Sequence, residues 1–228
     1  MKNIKIYNKN SYEFVNTLKK PDLIILDPPF QDWGKINFKL PKNIIAFCSP
    51  QSRCLVENKL GSPKCELVWH FPDGRWVSNK LPRITHDYIY IYGQPNTADV
   101  GDYQIIKTVK KGNSCIGSDS LGKRIYTTKE RKQLNSVLTY PRNMNSKLGA
   151  WGKPYKLIKN LIEWFKPKSV LDPFMGSGVV LDVCKDLEIN ATGIEINQEY
   201  FNYVKLRLEQ NKEQQELFKP KYQLSIFN

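Results

Sequence analysis

The sequence predicts an α/β fold, doubly wound about a mostly parallel sheet, and three observations carry that expectation. Short continuous apolar runs recur at DLIIL (22–26), NIIAFCS (43–49) and KSVLDPF (168–174), the pattern of strands buried on both faces of a sheet. Helix-length segments separate such runs, and the order of strand, helix and strand implies parallel pairing. Two of the runs end in an acidic residue followed by a stiff or glycine-rich turn, LDPPF (26–30) and LDPFMGSG (171–178). Polar groups are thereby placed at the carboxyl ends of strands, where open sheets bind ligands.

Taken in order, IKIY (4–7) reads as a short strand, and NSYEFVNTL (10–18) sets Tyr12, Phe14, Val15 and Leu18 at helical spacing behind a capping Asn or Ser. DLIIL follows as a buried strand, then NIIAFCS and a helix-length segment. ELVWHF (66–71) and ITHDYIYIYG (84–93) read as later strands, with the PDG turn at 72–74 between them. From about Asn96 to Gly149 the apolar periodicity fades, and Gly, Ser, Asn and basic residues take over. It returns in PYKLIKNLIEWFKP (154–167), where Leu157, Ile158, Leu161, Ile162 and Phe165 share one helical face and Pro167 stops the helix. KSVLDPF, GSGVVLDVCKDL (176–187), ATGIEI (191–196) and QEYFNYVKLRLEQNK (198–212) then run strand, helix, strand, helix. The expected organisation is a main domain from 1–94 and 150–212, an insertion at 95–149 and a polar tail at 213–228.

At 228 residues the chain has room for one substantial core and an inserted subdomain. No run of eighteen apolar residues occurs, and the start MKNIKIYNKN lacks the apolar core of a signal peptide, so a cytoplasmic location with no membrane partner is expected. The five cysteines (Cys48, Cys54, Cys65, Cys115, Cys184) include no CxxC pair and leave an odd one. That argues for reduced structural thiols rather than a disulfide framework or a metal site. The balance of 35 Lys and Arg against 22 Asp and Glu gives a net charge of +13. Much of the excess lies in one segment, in Lys107, Lys110, Lys111, Lys123, Arg124, Lys129, Arg131, Lys132, Arg142 and Lys147, against only Asp119 and Glu130. Such a segment suits a phosphate backbone, because each neutralised phosphate releases counterion; a solvated lysine-rich surface is the alternative.

The two turns carry the chemistry. In LDPFMGSG the chain passes from Asp172 through Gly176, Ser177 and Gly178 into a helix, so the backbone can approach a ligand and the helix start offers free N–H groups. Strand ATGIEI then ends near Glu195, placed to accept from two ribose hydroxyls. Together they point to a nucleoside cofactor; the absence of a following GK[ST] disfavours a triphosphate cradle. In Asp27-Pro28-Pro29-Phe30 the prolines lack N–H groups and force extended geometry. The result is a stiff arm that only accepts hydrogen bonds, suited to an exocyclic amino group, with Phe30 as a face for a planar base. Trp33 lies close enough to flank such a pocket, while His70 and His86 read as packing residues.

These residues resemble the DNA amino-methyltransferases that use S-adenosylmethionine to methylate adenine N6 or cytosine N4. The resemblance covers most of the chain: NSYEFVNTLKKPDLIILDPPF, the strands through ITHDYIYIYG, WGKPYKLIKNLIEWFKPKSVLDPFMGSGVV and ATGIEINQEYF. DPPF precedes the glycine loop, as in the circularly permuted beta group. The resemblance implies a Rossmann-like methyltransferase sheet with 95–149 as its target-recognition region. It implies that Asp172, Phe174, Gly176, Ser177 and Gly178 cradle the cofactor, that Glu195 holds its ribose, and that Lys153 sits at its carboxylate end. Asn10 and Asp27 would also contact the cofactor, with Asp27, Pro28, Pro29 and Phe30 catalytic. DNA contacts would fall to Lys107, Lys110, Lys111, Lys123, Arg124, Lys129, Arg131, Lys132 and Arg142. Three positions depart from the family pattern: Asn10 where many relatives have Asp, Gly152 in place of the usual lead into Lys153, and Val179 for a common Thr. DPPF favours adenine over cytosine within the resemblance. The implied partner is DNA, most simply double-stranded, and both a homodimer and a companion restriction endonuclease are compatible with the family. Rival readings are a nucleotide-binding oxidoreductase, in which DPPF has no role, an inactive DNA-binding protein that keeps the fold, and a methyltransferase acting on RNA or single-stranded DNA.

Overall fold

A computed structural model describes residues 3–76, 78–96, 134–145, 148 and 150–209. In chain order these form β1 (Ile4–Asn8), α1 (Ser11–Phe14), β2 (Leu23–Leu26), β3 (Asn43–Cys48), α2 (Arg53–Leu60), β4 (Cys65–Arg75) and β5 (Ile84–Tyr92). Then follow β6 (Val137–Thr139), β7 (Asn143–Asn145), β8 (Ala150–Gly152), α3 (Tyr155–Phe165), β9 (Ser169–Asp172), α4 (Val179–Asp186), β10 (Asn190–Glu195) and α5 (Gln198–Glu209).

Among the described residues, eight strands make one sheet in the order β1-β10-β9-β2-β3-β5-β4-β6, and β7 pairs with β8 separately. Pairing from β1 through β3 is parallel, β5 runs antiparallel to both β3 and β4, and β6 lies parallel to β4. The mostly parallel α/β expectation therefore holds, with β5 inserted antiparallel between β3 and β4. Alternation along β2 shows the double winding. Leu23 and Ile25 join a core with Leu157, Leu161 and Phe165 of α3 and Val180 and Val183 of α4. Ile24 and Leu26 join Val15, Trp33, Ile36 and Val56 on the opposite face. All four β2 residues are buried because helices or turns cover both sides of the strand.

Local chemistry explains the boundaries. The helix expected over 10–18 splits into α1 and a 3₁₀ turn at Val15–Thr17, since a single turn reaches the next strand. Pro154 caps α3 with extended backbone, and Lys166 closes it in the left-handed region just before Pro167. The PDG segment is not the reversal between β4 and β5. It lies inside β4, where the register slips between His70 and Arg75, and the chain turns only between Arg75 and Ile84. The sheet also reaches into the segment expected as an insertion, because β6 hydrogen-bonds along β4 through Val68, Trp69 and His70. The tail at 213–228 and most of the basic segment lie outside the described residues.

Leu161 is fully buried between α3 and the sheet. Leu161→Ala is expected to lower unfolding free energy by about 2–5 kcal/mol in urea titration, through lost transfer energy plus a cavity.

Candidate active-site crevice

Strand order reverses between β9 and β2. From β9 the chain proceeds to β10 on one side, and from β2 to β3 on the other, so the loops after β9 and β2 diverge and leave a gap at the carboxyl edge. A cavity of about 630 Å³ occupies this edge, lined by Asn10, Asp27, Pro28, Pro29, Phe30, Lys153, Phe174 and Glu195 among others. The two turns singled out in the sequence thus share one opening. Asp172, at the end of β9, and Gly176, Ser177 and Gly178, in the turn that follows, do not line it.

On the β2 side, Asp27 is partly exposed and its Oδ2 accepts from the Lys153 ammonium, 126 positions away in the chain. No described residue donates to its other oxygen or to the Pro28 carbonyl. The Pro29 carbonyl accepts from the Asp32 N–H at 2.8 Å, which folds the arm back and leaves Phe30 56% exposed at the mouth. Lys153 is fixed from below as well, its Nζ lying 4.9 Å from the ring centre of Phe47 and 5.8 Å from that of Trp69.

On the β9 side, Glu195 Oε2 accepts from the Gly176 N–H at 2.9 Å and Oε1 from the Asn197 N–H at 2.8 Å, so the carboxylate is oriented before any ligand arrives. Gly178 has φ +77, and a Cβ there would lie 2.8 Å from Val204, so only glycine admits α5 this close to the loop. Arg207 of α5 donates to the Ser177 carbonyl at 2.6 Å and pairs with Asp182 at 2.8 Å, clamping the loop from behind. Gly152 also packs closely on this loop, since a Cβ would meet Ser177 Oγ at 3.0 Å. Asn10 caps α1, accepting from the Tyr12 N–H at 3.1 Å and donating to Glu13 at 2.9 Å. Ser11 donates to the Pro173 carbonyl and the Tyr12 ring rests 5.5 Å from Phe174, joining α1 to the glycine loop.

Asp172 is buried, and its Oδ1 accepts from the Phe174 N–H at 3.1 Å. Burial pushes its carboxyl up to about 7; Asp27 and Glu195 add to the rise, while the Phe174 N–H and Lys153 oppose it. The groups that line the cavity suit a nucleoside with an anionic tail: an oriented carboxylate in Glu195 for vicinal hydroxyls and the Lys153 ammonium for a carboxylate.

Several cavity residues were not anticipated. Ser49 and Ser52 follow β3, the third parallel strand ending at this edge, and that position was the available signal. Asp87 and Arg75 also line the cavity, and neither carried a motif. Trp33 is buried at the wall. His70 faces Thr139, and His86 packs against Tyr88. Of the basic residues expected to meet DNA, Arg142 donates to Asp73 and to the Gly74 carbonyl, each at 2.7 Å, bracing the irregular part of β4. Lys107, Lys110, Lys111, Lys123, Arg124, Lys129, Arg131 and Lys132 lie outside the described residues. Cys48, Cys54, Cys65 and Cys184 are free thiols, and burial pushes Cys48 and Cys184 up to about 12.

Fold and crevice together define an open α/β sheet with polar groups converging on its switch point, the architecture of enzymes that use nucleoside cofactors. A family model described as DNA methylase matches residues 38–206, and the chain belongs to that family of S-adenosylmethionine-dependent DNA amino-methyltransferases, which covers both N6 and N4 chemistry. The type II methyltransferase M.BsoBI of Geobacillus stearothermophilus is 36% identical over 83 residues, 32% of this chain and 16% of that protein. The type II methyltransferase M.HpaI of Haemophilus parainfluenzae is 41% identical over 69 residues, 29% of this chain and 22% of that protein. The matched stretch is therefore less than a quarter of either relative's length. The M1.HpyAVI–SAM complex superimposes with a TM-score of 0.57 at 21% identity, covering 91% of this chain and all of that one. The PvuII DNA methyltransferase, cytosine-N4-specific, gives 0.64 at 14% identity over 93% and 88%. At these identities the structural likeness is one of fold.

A carboxyl whose folded value stands above its unfolded 3.8 contributes stability that is complete below that value and is lost as pH rises through about 7. In urea titrations at pH 5 and pH 8, the wild type is expected to lose stability relative to Asp172→Asn, which retains an acceptor for Phe174. Equal changes in the two proteins would contradict this.

Proposed function

We propose that the crevice transfers a methyl group from S-adenosylmethionine to the exocyclic N6 amino group of adenine in DNA, at specific sites and after the base has been turned out of the duplex. The observation that carries this reading is the convergence of the Asp27 arm and the glycine loop on one cavity, with Asp27 keeping an oxygen available beside the available Pro28 carbonyl. Glu195, Asp172, Phe174, Lys153 and Asn10 would hold the cofactor, and the loop of Gly176, Ser177 and Gly178 would support it. When bound, the cofactor supplies an electrophilic methyl on a sulfonium.

The chain's own part is alignment. Asp27 and the Pro28 carbonyl accept from the amino group, which draws electron density onto nitrogen and directs its lone pair across the crevice. Phe30, exposed at the mouth, stacks on the extruded ring, offsetting part of an unstacking cost of about a few kcal/mol. Lys153 pairs with Asp27 and must share or release it when the amino group arrives. The segment 95–149 supplies target recognition and the basic residues that meet phosphate, with 1–94 and 150–212 as the catalytic domain. Adenine is favoured by Asp at the head of DPPF.

The test is mass spectrometry of nucleosides from mixed duplex DNA incubated with the protein and deuterium-labelled S-adenosylmethionine. Labelled N6-methyladenine is expected. Labelled N4-methylcytosine would move the base assignment, and no label would overturn the reading. Asp27→Ala should transfer about 100- to 1,000-fold more slowly while cofactor binding stays measurable by calorimetry; full turnover in that variant would sink the role given to Asp27.

A further inference from the structure

Deeper along the same wall lies an ion pair that the methyl transfer does not require. Arg75 donates from Nη2 to Asp87 Oδ1 at 2.9 Å, with the Asp87 side chain only 13% exposed. The Arg75 guanidinium carbon sits 5.8 Å from the ring centre of Phe30 and 5.9 Å from that of Phe71. Arg75, Asp87, Phe30 and Asp27 all line the cavity. Burial pushes the Asp87 carboxyl up, and Arg75 followed by Lys153 draw it back toward the charged form.

Two features separate this pair from an ordinary structural one. The register of β4 against β5 slips between His70 and Arg75, and such irregularities re-aim side chains beside active sites. The pairing also leaves most of a five-donor guanidinium uncommitted. Among the described residues its side chain hydrogen-bonds to Asp87, and it lies near two aromatic rings, one of them the Phe30 ring on which a base would stack.

The geometry points to Arg75 as a specificity-determining residue for the target base, with Asp87 as the residue that positions it. Resting on the methyltransfer reading above, the assignment is that Arg75 donates to the ring nitrogen next to the exocyclic amino group. Adenine N1 and cytosine N3 are acceptors at that place, whereas guanine N1 and thymine N3 carry hydrogen, so a fixed donor selects the first two.

The test compares two random-sequence duplex pools, one with adenine and one in which 1-deazaadenine keeps the amino group but replaces N1 with C–H. The wild type is expected to transfer methyl to the second pool with kcat/KM about 10- to 100-fold lower. Arg75→Ala should show little preference between the pools, and Asp87→Asn an intermediate one, both with cofactor binding close to the wild type, although the melting temperature is expected to fall in Arg75→Ala, which leaves the Asp87 carboxyl without its partner. Arg75→Lys retains a donor without the planar fork and gives a second arm, expected to discriminate less than the wild type. Undiminished discrimination by Arg75→Ala, or none by the wild type, would overturn the assignment. So would variants that bind cofactor yet methylate neither pool, which would mark the pair as structural. Failure of the wild type on every DNA would instead remove the methyltransfer reading itself.

Discussion

Between β9 and β2 the chain leaves the sheet in opposite directions, and the helical layers that follow cannot close over the space between them. Every polar feature of the crevice depends on that gap. Because β2 and β9 pair directly, Leu23 opposite Val170 and Ile24 opposite Leu171, the turns that follow them emerge side by side. The antiparallel β5 adds to the same edge, since Tyr88 lies opposite Cys48 and the start of β5 therefore stands above the end of β3. That is how Asp87, in an otherwise unremarkable strand, comes to face a loop sixty residues earlier in the chain.

Charge is arranged along this edge in alternation. Asp27 meets Lys153, Asp87 meets Arg75, and the two basic groups each lie near aromatic rings. Proximity of this kind lowers the freedom of long side chains and strengthens each pair beyond what an exposed one contributes. Asp172 differs: it is a buried carboxyl that, among the described residues, accepts from the Phe174 N–H and makes no ion pair.

Much of this was legible in the sequence, and the reasons are physical. Continuous apolar runs named β2, β3 and β9 because burial on both faces leaves no polar alternation, and Gly178 was readable because close approach tolerates no side chain. The PDG segment misled because its turn chemistry serves a strand irregularity instead of a reversal. Arg75 and Asp87 stayed hidden for a related reason: the antiparallel strands β4 and β5 contribute residues that no local spacing connects to the loops they meet. Lys153 was legible only through family resemblance, which set it at the cofactor; its ion pair with Asp27 is long-range geometry that no local pattern encodes.

The most direct measurement of the central claim is a crystal structure of the protein with S-adenosylmethionine bound. The account places the nucleoside beside Phe174 and Glu195, with the methyl carbon facing Asp27 and Phe30 across the crevice. A cofactor seated elsewhere on the sheet, or one seated there with its methyl turned away from Asp27, would contradict it.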